Sequence, residues 1–143
     1  MRKNERVTIL PYAARTVGLA SSHFYNKWYR GLIITIDVTA VPGDAGTITS
    51  VGIQQYVGPY GELTNLGPLE DDANYVTVYS FGSLAIKTVG KHVLVLHPNT
   101  LVATGGLKGA VAGVLPVNFK IVVAHVADGK SITYGIGGEL VVA

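Results

Sequence analysis

The chain has 143 residues, the length of one ordinary domain, and 48% of them are hydrophobic, which excludes intrinsic disorder as its overall state. Only 14% are charged, against roughly 25% in a typical soluble domain, so part of the surface is expected to be covered by a partner. Cysteine is absent, which removes disulfides, thiolate metal sites and cysteine nucleophiles. No run approaches the roughly 18 apolar residues of a transmembrane helix, and the basic N-terminus lacks the apolar region of a secretory signal.

Net charge is +2, but its distribution is lopsided. Residues 1–30 hold six basic groups against Glu5 alone, a net of +5, while the remainder is net −3. Residues 1–22 mix charges, Pro11 and small side chains without a helical or strand period. They read as an extended N-terminal arm ahead of a body at 23–143. Arg2, Lys3, Arg6 and Arg15 make the arm cationic, and Val7, Ile9, Leu10 and Tyr12 give it apolar side chains that a solvating tail does not need. The arm is therefore expected to dock on an acidic surface of a partner or neighbouring copy. Its removal is expected to leave the body folded. Six basic groups over thirty residues make too thin a footprint for nucleic acid. The segment His23–Arg30 then packs Phe24, Tyr25, Trp28 and Tyr29 beside Lys27 and Arg30, a composition that suits an interface anchor.

From Gly31 the chain reads as strands separated by turns. Leu32, Ile34, Ile36 and Val38 alternate with Ile33, Thr35, Asp37 and Thr39, the pattern of a half-buried strand. Pro42–Gly46 ends it, and Thr47–Val57 is a second strand. A short strand at Glu62–Leu66 is expected to pair back across Gly58–Gly61, followed by a loop at Gly67–Asn74. Tyr75–Ser83 places Tyr75, Thr77, Tyr79 and Phe81 on one face, and Lys91–His97 is a compact strand. Thr100–Pro116 is too glycine-rich for a stable helix and reads as a long loop. Val117–Val126 and Ser131–Val142 flank Asp128-Gly129, the sequence cue for a β-hairpin. Both faces of Phe119–Val126 are apolar, so that strand is expected to be central and covered twice. Seven to eight strands with regular turns predict an all-β antiparallel sandwich of jelly-roll-like type.

Chemistry is hard to place on this pattern. His92 and His97 fall on opposite faces of one strand and cannot chelate together. His125 reads as a hydrogen-bonding group near the turn. Gly82-Ser83-Leu84 lacks the second glycine and the strand-to-helix turn of a nucleophile elbow. Asp37 reads as an outward polar residue, and Glu70-Asp71-Asp72 as a solvated acidic loop that a neighbour's basic arm could meet. Gly105–Gly109 and Gly135–Gly138 lack the spacing of phosphate and dinucleotide loops. No catalytic residue, metal or other cofactor is expected.

Two segments carry a family resemblance. Tyr29–Val41, YRGLIITIDVTAV, resembles the RG-V-V-x-(L/V)-D-V-T-A-V segment of small virion proteins of tailed bacteriophages. Pro116, Val122-Val123-Ala124-His125 and Ser131–Gly137 are similar to their C-terminal W-x-V-x-x-x-H-x-D-x-x-S-I-T-Y-S-V-G ending. Phe119 stands where a tryptophan is usual, and the common Gly-Lys-Asp-Pro turn is missing. The resemblance implies a head decoration, or cement, protein, best understood from thermophilic phages. Such proteins are jelly-roll-like trimers on the capsid exterior with arms reaching adjacent subunits. By that resemblance the partners are the major capsid protein and further copies of this chain, with neither nucleic acid nor membrane involved. The expected location is the exterior of a phage head, assembled in the host cytoplasm. A carbohydrate-binding β-sandwich is the alternative, with Tyr56, Tyr60, Tyr75 and Tyr79 as its platform.

Overall fold

A computed structural model describes residues 3–42, 46–58, 72–99 and 107–142. Ten strands occur among them: β1 (Glu5–Arg15), β2 (Leu19–Ala20), β3 (Phe24–Tyr25), β4 (Gly31–Ala40) and β5 (Ile48–Tyr56), then β6 (Tyr75–Phe81), β7 (Gly90–His97), β8 (Leu107–Ala112), β9 (Asn118–His125) and β10 (Ile132–Val141). One sheet runs β1-β10-β4-β7-β8; the other runs β2-β9-β5-β6, with β3 also on β9. All pairings are antiparallel except β7 with β8.

The alternation in β4 faces Leu32, Ile34, Ile36 and Val38 inward, and all four are buried. Ile132, Tyr134, Ile136 and Leu140 of β10 join them. The opposing layer is Ile48, Val51 and Ile53 of β5 with Phe119, Ile121 and Val123 of β9, all within the same core. β-Branched residues dominate because two pleated faces pack there, and the result is a sandwich.

β2 and β3 continue one another along β9, interrupted where Ser21 Oγ accepts from the Ile121 amide at 3.0 Å and Ser21 donates its own amide to the Ile121 carbonyl at 2.8 Å. With β2 and β3 counted as one strand and β8 set aside, the two sheets have the double-Greek-key order of a jelly roll. β9 lies between β2/β3 and β5, so it is central.

Three expectations need correction. The segment 1–22 is extended, but it is not an arm separate from the body. Residues 5–15 form edge strand β1 on β10, and Ile9 and Leu10 are buried in the core. The period is hidden by two register shifts, one between Thr8 and Leu10 and one between Leu10 and Ala13, which accommodate Pro11 on a sheet edge. The Arg15 guanidinium answers the irregularity, donating to the carbonyls of Pro11, Ala13 and Tyr134.

The second correction concerns Asp128-Gly129. Gly129 has φ of 72°, as a tight turn requires, yet β9 and β10 do not pair. They belong to opposite sheets, so the turn is an arch across the sandwich rather than a hairpin. Both strands have an apolar inner face to bury, and facing each other across the core satisfies both. The third correction is β8, inside the stretch read as a long loop: Leu107–Ala112 runs parallel to β7. The strand expected at Glu62–Leu66 lies outside the described residues.

Candidate docking surface

The His23–Arg30 segment leaves β9 and enters β4 through a tight loop built on Asn26. That side chain is 5% exposed; its amide nitrogen donates to the Tyr29 carbonyl at 2.7 Å and to the Leu115 and Pro116 carbonyls at 3.3 Å. Its Oδ1 accepts from the Tyr29 amide at 2.9 Å. A short polar side chain that satisfies four backbone groups fixes the loop without regular secondary structure.

The four aromatics of this segment divide by role. Phe24 stacks on Phe119, ring centroids 5.3 Å apart, and packs against the core. Tyr29 is half-buried, and its hydroxyl donates to Glu5 at 2.8 Å, tying the loop to β1. Tyr25 and Trp28 point outward, 62% and 49% exposed. Lys27 Nζ lies 5.5 Å from the Trp28 ring centroid, a cation–π contact. Together with Glu5 and Val7 of β1 and Leu140 of β10, these residues line a groove of about 540 Å³ at one end of the sandwich.

The other anticipated contact residues scatter. Arg2 lies outside the described residues. Lys3 and Arg6 are exposed and Val7 is half-buried. Ile9 and Leu10 are turned into the core, so they are withdrawn from any partner surface. Arg15 is engaged with backbone carbonyls and the Tyr134 ring. Tyr12 is exposed, but on the outer face of the sheet, donating to Asp37 Oδ2 at 2.6 Å. The surface available at the aromatic segment is therefore Tyr25, Lys27 and Trp28, and not the whole N-terminal segment.

Among the described residues, the tyrosines of the alternative reading do not form an open platform. Tyr56 and Tyr75 are 3% and 6% exposed and meet edge-on at 5.5 Å. Lys120 Nζ lies 4.6 Å from the Tyr75 ring centroid and is itself buried. Tyr79 packs against the core and exchanges hydrogen bonds with Val114, and Tyr60 lies outside the described residues.

The histidines have structural partners. His92 Nε2 is 3.1 Å from the Thr88 carbonyl, and His97 Nδ1 accepts from the Asn99 amide at 3.1 Å. His125 Nε2 is 2.7 Å from the Tyr134 hydroxyl, a pairing hidden from sequence reasoning by the hairpin assumption. Among the described residues, no three His, Cys, Asp or Glu side chains gather as metal ligands. No helix of the described residues is long and apolar enough to cross a membrane. No family model matches the chain, and no curated protein or solved structure is significantly similar to it.

Proposed function

We propose that this chain is a structural virion protein that decorates and stabilises the exterior of a phage head by binding the major capsid protein, assembled as a homotrimer. The observation that carries the reading is the pair of exposed rings, Tyr25 and Trp28, beside Lys27 on a loop pinned by buried Asn26. Large rigid aromatics held in the open beside a cation are the composition of binding hot spots, and preorganisation lowers the entropy lost on docking. The two segments that resemble phage virion proteins, 29–41 and 116–137, fall on β4, β9 and β10, and β4 and β10 are paired neighbours. The jelly-roll order agrees with the same resemblance.

In this reading the anchors are Tyr25 and Trp28, with Lys27 steering toward an acidic partner surface. The β1 segment supports the anchors from below instead of reaching out as a free arm. Three copies on one capsid site multiply a modest contact through effective concentration. The test is co-sedimentation with purified undecorated capsids, comparing the wild type with the Tyr25→Ala/Trp28→Ala double variant. The expected result is stoichiometric wild-type binding and at least about tenfold weaker binding of the variant, with its melting temperature preserved. Absence of wild-type binding, or equal binding by the folded variant, overturns the proposal. Sedimentation equilibrium showing a monomer both free and on capsids overturns the trimer.

A further inference from the structure

The sheet β1-β10-β4-β7 has a second organised surface, centred on Tyr12 and extending along β10 to Arg6 and Glu139. Tyr12 is 62% exposed, yet it is held flat. A Cβ built on Gly135 would lie 2.9–3.0 Å from three Tyr12 ring atoms, so the ring face rests on the glycine backbone. The hydroxyl is fixed at the far end by Asp37 Oδ2, at 2.6 Å. A ring that adds nothing to the core is thus locked with one face on the sheet and the other to solvent.

Register builds a groove around it. Asp37 stands between Gly135 of β10 and Lys91 of β7. Two residues along, Gly137 lies beside Thr35 and leaves the floor low. Two residues further, Arg6 of β1 lies directly opposite Glu139. The charged rows are four residues apart on β10, about 14 Å at strand spacing, and the groove between them holds about 400 Å³. Among the described residues neither Arg6 nor Lys91 makes an ion pair, and Tyr12 is the only hydrogen-bond partner of the Asp37 carboxylate.

The groove therefore offers a flat aromatic face, two carboxylates and two cations. Carboxylates and cations in equal number match a ligand that donates and accepts in equal measure and carries no charge. A sugar ring has that chemistry, with C–H groups on one face and hydroxyls around its rim; a phosphate or an acidic peptide would meet Asp37 and Glu139 unfavourably. We propose that this groove binds a neutral oligosaccharide, one ring stacked on Tyr12 with its hydroxyls bonded to Asp37 and Lys91, and a further unit along the groove bonded to Arg6 and Glu139. Such a site would add glycan recognition to a protein whose other surface docks on protein.

The test is an array of neutral and anionic oligosaccharides, followed by isothermal titration with the tightest neutral member. The wild type is expected to bind at least one neutral glycan, and Tyr12→Ala to weaken it about tenfold or more. Gly137→Gln gives an independent check. A Cβ there meets nothing nearer than the Val7 carbonyl oxygen at 3.9 Å, so the new side chain fills the groove without disturbing the core. It is expected to abolish binding with unchanged melting, while Trp28→Ala binds normally. Absence of neutral-glycan binding, binding confined to sulfated or phosphorylated glycans, retention by Gly137→Gln, or equal loss in Trp28→Ala each overturns the proposal.

Discussion

The Tyr134 hydroxyl lies 2.7 Å from His125 Nε2, and the two residues belong to opposite sheets. Their hydrogen bond closes the arch through which β9 hands the chain to β10. Arg15 of β1 completes the corner, its guanidinium carbon 4.8 Å from the Tyr134 ring centroid. Burial pushes the Tyr134 phenol up to about 12, so it stays neutral. Burial first, and the Arg15 charge second, hold His125 below its usual value of 6.5, with Asp128 opposing them.

This corner gives stability a pH dependence of definite sign. A histidine with a depressed folded pKa binds its proton less readily in the fold than in the unfolded chain. As pH falls through 6.5 the unfolded state takes up the extra proton, so stability declines until the folded pKa is passed. Melting temperature is expected to fall from about pH 7 to about pH 5, and His125→Gln to flatten part of that slope. Equal slopes for the two proteins would assign the effect to other groups.

Strand β1 is expected to be indispensable to the fold. Ile9→Ala and Leu10→Ala each remove a buried side chain and should cost about 2–5 kcal/mol, whereas exposed Lys3→Ala should stay within about 0.5 kcal/mol. Deleting residues 1–17 uncovers the β10 edge and should lower the urea midpoint sharply or abolish folding. An unchanged midpoint would restore the picture of a detachable arm.

What the sequence made legible follows from how far each signal reaches. β4, β5, β6, β7, β9 and β10 show themselves through local alternation of β-branched residues. β1 does not, because its bulges around Pro11 place Ile9 and Leu10 side by side in the core. β8 escapes notice because Gly109 and Ala110 carry no bulk; Gly109 lies against Phe81, where a Cβ would sit 3.2 Å from the ring. The choice between hairpin and arch at Asp128-Gly129 depends on which sheet each flanking strand joins, a non-local fact. For the docking surface, the aromatic cluster was visible as a run, but its division into half-buried Phe24 and exposed Tyr25 and Trp28 was not. The groove over Gly135 and Gly137 needed register across four strands, which no single segment encodes.

Gly18 and Gly82 should respond in opposite directions to alanine. Gly18 sits at the corner where the chain passes from one sheet to the other, and a Cβ there would lie 2.4 Å from the Val123 carbonyl oxygen. Backbone cannot yield as a side-chain tip does, so Gly18→Ala should be clearly destabilising. At Gly82 nothing lies within 4 Å, and its φ is not in the left-handed region. Gly82→Ala should be neutral or stabilise by about 0.4–1 kcal/mol through the unfolded chain. Chemical denaturation of the two variants tests this contrast, and equal effects would contradict the corner geometry.

Asn26 offers the sharpest test of how the exposed rings are held. Its amide nitrogen faces three carbonyl oxygens in a site only 5% exposed. Asn26→Ala removes the donor and should cost about 1–3 kcal/mol. Asn26→Asp keeps the shape but turns a carboxylate oxygen toward those carbonyls, so it should be the worse substitution at neutral pH. The new carboxyl would have its pKa raised by burial and by the carbonyl oxygens, and its protonated form can donate where the amide did. An acid with a raised folded pKa binds protons more readily in the fold, so Asn26→Asp alone should regain stability as pH falls. Melting curves of the three proteins near pH 7 and pH 5 decide the matter. If Asn26→Asp is no less stable than Asn26→Ala at neutral pH, the three-carbonyl cluster does not hold the loop, and Tyr25 and Trp28 lose their preorganised mount.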